Sequence, residues 1–117
     1  MSAIDEKYAQ LGGPNGFLGH PVDEGAGNAE MDTATGRGRL RNYQGGSIYW
    51  TSTTGAHEVH GLIRVKWAQL GAERGVLGFP LTDEIEASDG VGRFNHFEGG
   101  SIYWTPEDGA VVVQSID

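Results

Sequence analysis

The hexapeptide GGSIYW occurs at 45–50 and again at 99–104. A chain of 117 residues that spells six letters twice, three of them large and apolar, is built from two copies of one unit. The copies extend well beyond the hexapeptide. EKYAQLGGPNGFLGHP at 6–21 aligns with VKWAQLGAERGVLGFP at 65–80, at a constant offset of 59. GRLRNYQGGSIYWTSTTGA at 38–56 aligns with GRFNHFEGGSIYWTPEDGA at 92–110, at an offset of 54. The first copy therefore carries five extra residues between Pro21 and Gly38, within the polar stretch GAGNAEMDTATGRG. The copies divide the chain into 1–60 and 61–117, two repeats sharing one domain.

Each copy reads as the same supersecondary unit. Ile4, Tyr8 and Leu11, matched by Ile63, Trp67 and Leu70, recur at i, i+4, i+7 and predict a short helix with one apolar stripe. Ser2 with Asp5 predicts its N-cap, and Gly12 and Gly71 its end. A Gly-Pro loop follows, then three strands at 38–43, 47–51 and 56–60, with counterparts at 92–97, 101–105 and 110–114. Gly45-Gly46 and Gly99-Gly100 are read as the hairpin turns, and Ser52 to Gly55 and Pro106 to Gly109 as the second turns. The predicted class is mainly β with short helices: two tandem repeats of helix, Gly-Pro loop and three-stranded antiparallel meander, propeller-like or ring-like. Twenty glycines, roughly twice the ordinary rate, suit a chain of short strands and tight turns. A three-stranded meander cannot stand alone, and two repeats are few for a continuous core. A homo-oligomer that completes the set is the expectation.

The combined motifs resemble the LGFP repeat. LGHP stands at 18–21 and LGFP at 77–80, GSIYWT follows in both copies, and TGAHEVHGLI at 54–63 is similar to that family's link between repeats. The resemblance covers essentially the whole chain. It implies repeats that close into a propeller-like ring. It also implies a non-catalytic, secreted or cell-wall-associated module that tethers a neighbouring enzyme to an arabinogalactan-like polysaccharide.

Charge and composition narrow the partners. A net charge of -8 repels phosphate backbones and anionic membranes, so no nucleic-acid partner is expected. No apolar run approaches the roughly 20 residues that span a bilayer, so no membrane insertion is expected. The N-terminal MSAIDEKYAQ has no apolar core region, so no signal peptide is predicted, and the sequence leaves the compartment open. There is no cysteine.

No catalytic or metal kit assembles, and no cofactor is expected. His57 and His60 are three apart in a strand, so their side chains take opposite faces, whereas a helical zinc site needs four. Ser47 and Ser101 follow Gly-Gly without the G-x-S-x-G elbow. Asp23-Glu24 and Asp83-Glu84 are adjacent acids, not a pair facing across a cleft.

The aromatic residues carry the functional reading. Strand alternation puts Ile48 and Trp50 on one face and Tyr49 on the other. Ile48 and Ile102 are expected in the core, with Trp50 and Trp104 beside them. Tyr49 and Tyr103 are left facing outward or into a groove, where a ring stacks on the C–H face of a sugar. Arg39 and Arg93 can fork onto sugar hydroxyls or pair with Glu24 or Glu84. The expected ligand-binding set is Tyr49, Tyr103, Arg39, Arg93, Tyr43, Trp50, Trp104, Glu24 and Glu84, taking a polysaccharide or glycan. The alternative is a repeat module that mediates assembly and binds no glycan.

Overall fold

In the computed structural model, residues 2–22 and 30–114 are described. Each repeat is a helix on a four-stranded antiparallel sheet. The first comprises α1 (Ala3–Gln10), β1 (Met31–Asp32), β2 (Gly38–Tyr43), β3 (Gly46–Thr51) and β4 (Gly55–His60). The second comprises α2 (Gly61–Gln69), β5 (Ile85–Glu86), β6 (Arg93–Phe97), β7 (Gly100–Thr105) and β8 (Gly109–Gln114). Strand order is sequential in both sheets. The expected meanders are therefore present, each widened by a two-residue strand, β1 or β5, on its first edge. The hairpin turns sit one residue earlier than expected, because Gly46 and Gly100 already pair as strand residues. The two sheets follow each other as consecutive units and do not close into a barrel.

Local chemistry sets the helix ends. Ser2 Oγ accepts the Asp5 N–H at 3.1 Å, capping α1 as the sequence predicts. Gly12 and Gly71 follow the last helical turns at φ 103° and 101°, a left-handed conformation that favours glycine. Four residues on, the chain doubles back so closely that a Cβ on Gly75 would lie 1.8 Å from the Leu70 carbonyl oxygen. The Leu-Gly-x-Pro loops then dock through bridges of Pro21 to Tyr43 and Pro80 to Phe97.

Each sheet has an inner face towards its own helix and an outer face. In the first repeat Ile4, Leu18, Tyr43 and Ile48 form the inner core, with Tyr8 and Trp50 packed against it. Tyr8 stacks on Tyr43 with ring centroids 4.5 Å apart, and its hydroxyl donates to the Gly19 carbonyl at 2.5 Å. The second repeat copies this with other letters: Trp67 stacks on Phe97 at 5.4 Å and its indole N–H donates to the Gly78 carbonyl at 3.0 Å.

The outer face of the first sheet is where the repeats meet. Leu40, Tyr49 and Val59 pack with Ile63, Trp67, Leu77 and Phe79 of the second repeat in one core. Polar contacts fix the approach. Arg64 Nε donates to Ser47 Oγ at 3.0 Å, and Asn95 Nδ2 to the Glu58 carbonyl at 3.2 Å. Asp83 accepts from Lys7 Nζ at 2.8 Å and from the Glu58 N–H at 3.0 Å. The open edge of β4 is thus capped by side chains of the next repeat, which manages an otherwise unpaired strand edge. Arg37 forks onto Glu98 at 2.9 and 3.0 Å, and its guanidinium lies over Phe79.

Candidate functional site

The segment Glu30–Asp32 runs antiparallel to β2 and puts two carboxylates about Arg39, which pairs with Trp50 across β2 and β3. Arg39 Nε donates to Glu30 Oε1 at 3.2 Å, Nη1 to Asp32 Oδ1 at 3.0 Å and Nη2 to the Glu30 carbonyl at 3.4 Å. Ser2 donates its hydroxyl hydrogen to the other Glu30 oxygen. Ser2, Glu30 and Arg39, with Ala3 and Ile4 at the start of α1 and a half-buried Trp50, line a cleft of about 120 Å³. It offers an indole and aliphatic floor, a fixed acceptor in Glu30 and a half-exposed planar donor in Arg39, which Asp32 holds from outside the lining. The cleft is small, so it suits one part of a larger ligand that continues along the surface.

The second repeat places Arg93, Glu84, Glu86 and Trp104 in the same positions. Arg93 Nε lies 3.8 Å from Glu84 and Nη1 3.6 Å from Glu86. It differs by one insertion: His60, at the end of β4, stands between Glu58 at 2.6 Å and Glu84 at 3.4 Å. The hydrogen bond to Glu58 raises the His60 pKa, and the charges of Glu58 and Glu84 add to it against the cost of burial. Burial raises the Glu84 pKa, opposed by His60 and Arg93. Asp83, next in sequence, behaves oppositely. Burial works against its charge, but hydrogen bonds from His57, Lys7 and the Glu58 N–H outweigh it and hold the pKa at about 2.

The expected site residues therefore divide. Arg39 and Trp50 come together, as do Arg93, Trp104 and Glu84. Tyr43 does not face a ligand: it is buried, stacked on Tyr8, and burial pushes its pKa up to about 12. Tyr49 does not either, because the second repeat covers it down to 8% exposure. Tyr103 is 41% exposed, but it lies on the outer face, across the sheet from Trp104. Glu24 lies outside the described residues. The carboxylate in the place of Glu84 is Glu30, so the structural correspondence at offset 54 begins before Gly38. Glu30, Asp32 and Ser2 were missed. Their signal is the alternation Glu30-Met31-Asp32, which repeats as Glu84-Ile85-Glu86. Among the described residues no cluster of His, Asp and Glu is arranged to hold a metal ion, and no helix is long and apolar enough to cross a membrane.

Comparison with known families agrees with the architecture. The LGFP repeat model matches residues 18–75 and 77–116. The chain belongs to the LGFP repeat family. A search of curated proteins finds no match. LGFP is a repeat-module family and not a catalytic one. The two matched segments begin at the LGHP and LGFP loops; the first runs through its sheet and on through α2, the second through its sheet past β8.

Proposed function

We propose that this LGFP protein is a non-catalytic glycan-binding module, with the Trp50–Arg39 cleft as its main subsite and the Trp104–Arg93 position as a second. The observation that carries the reading is the same constellation built twice: an arginine held between two carboxylates beside a partly buried tryptophan, at the start of a helix. An indole stacks on the apolar face of a pyranose or furanose. A guanidinium clamped by carboxylates is held in one orientation, so it loses little freedom on donating to ring or hydroxyl oxygens. The carboxylates accept from hydroxyls and disfavour anionic sugars. A neutral polysaccharide of the cell wall, arabinogalactan-like, fits this chemistry. Two weak subsites on one chain gain affinity when one polymer engages both. Binding of a panel of neutral polysaccharides, followed by calorimetry or an array, tests this. The reading requires loss on Trp50→Ala and Arg39→Ala in protein that remains folded.

A second reading, an assembly module, is favoured by one observation. Among the described residues, the outer face of the second sheet exposes Tyr103, Val111 and Val113.

A further inference from the structure

The segment Gly-Ser-Ile-Tyr-Trp-Thr is identical in β3 and β7, yet its outer-face residues differ in burial. Ser47, Tyr49 and Thr51 are buried because the second repeat packs on them; Ser101, Tyr103 and Thr105 are not. A repeat whose outer face ends in water should carry polar residues there. Beside His96, Ser101 and Thr105, this one exposes large apolar residues. His57, which reaches Asp83 of the next repeat, is replaced on β8 by Val111, and Val113 beside it is exposed. Tyr103 stacks on Phe94 at 5.3 Å and together they extend the apolar patch.

Among the described residues, the complementary surface at the opposite end of the molecule is also uncovered. Tyr8 occupies the place of Trp67, with the same stack beneath it and the same hydrogen bond to a glycine carbonyl. Trp67 is fully buried because Tyr49 meets its free edge at 4.8 Å. Tyr8 remains half-exposed, and His20, in the place of Phe79, is exposed.

We propose that the outer face of the second sheet, centred on Tyr103, receives the first repeat of a second copy of this chain through Tyr8 and His20. The contact continues the internal repeat junction from one molecule to the next. It is heterologous, because the two partners use different surfaces, so copies add head to tail into a ring or a filament. The proposal is independent of glycan binding.

Sedimentation and light scattering of the 117-residue protein across concentration test it. Self-association that rises with concentration is expected. Tyr103→Glu alone and His20→Glu alone each reduce the protein to monomer, since each blocks one side; both sites are exposed, so in dilute solution the unfolding midpoint of each variant stays near that of the monomeric parent. The deciding experiment mixes the two variants. Each keeps the surface the other has lost, so an equimolar mixture forms a species of twice the monomer mass and nothing larger. A parent that is monomeric at every concentration overturns the proposal. So does a mixture that stays monomeric, so does a His20→Glu protein that dimerises by itself, which marks a two-fold contact of Tyr103 faces, and so does an oligomer that neither variant affects.

Discussion

The Tyr49 ring meets the Trp67 indole edge-on, with centroids 4.8 Å apart and planes at 86°. That contact joins the outer face of one repeat to the helix of the next, and it separates two tyrosines that the sequence makes identical. Edge-to-face pairs add about 0.5–1.5 kcal/mol beyond the area they bury. Tyr49→Ala should therefore destabilise the protein by about 3 kcal/mol, within the range for large-to-small core changes. Tyr103→Ala should cost the isolated molecule under about 0.5 kcal/mol. Urea denaturation of dilute protein measures both. Equal losses would contradict the asymmetry.

Asp83 gives the junction an acid limit. Its folded pKa of about 2 lies below the ordinary 3.8, so its contribution is present above about pH 4 and is lost as the pH falls through 2. With its side chain 28% exposed, the contribution is about 1–2 kcal/mol. Asp83→Asn should cost that amount at neutral pH and flatten stability between pH 4 and 2. Thermal unfolding across that window checks it. A variant as acid-sensitive as the parent would count against the assignment.

His60 acts at the other end of the scale. Its folded pKa is raised above the ordinary 6.5, so its contribution is complete below pH 6.5 and lost as the pH rises through the folded value. The groups that face it are Glu58, Glu84 and, beyond them, Arg93. The parent should lose stability towards alkaline pH, and His60→Gln should lose less. Proton NMR titration of the His60 ring supplies the direct readout; a midpoint at or below 6.5 would exclude the bridge.

Much of this was legible beforehand. Helix spacing, the Ser2 cap, the strand pairs and the burial of Ile48 and Ile102 all follow from patterns of four or more residues. The two-residue strands β1 and β5 were not legible, because two residues carry no period. Their loss hid Glu30 and Asp32, so Arg39 was matched with Glu24. Parity placed Tyr49 and Tyr103 on the outer face correctly. It could not tell which outer face is covered, because that depends on Trp67 and Phe79, which reach Tyr49 through the tertiary junction and not through its neighbours in sequence.

Glycan binding at the Trp50–Arg39 cleft is tested most directly by titrating a neutral, arabinogalactan-like polysaccharide into the parent, Trp50→Ala and Tyr103→Ala proteins. Losing one aromatic stack and its contacts should weaken binding at least tenfold in Trp50→Ala, about 1.4 kcal/mol or more, and leave Tyr103→Ala within twofold of the parent at concentrations where all three are monomeric. Binding that survives Trp50→Ala and disappears in Tyr103→Ala would contradict the account, as would a parent that binds no polysaccharide at all.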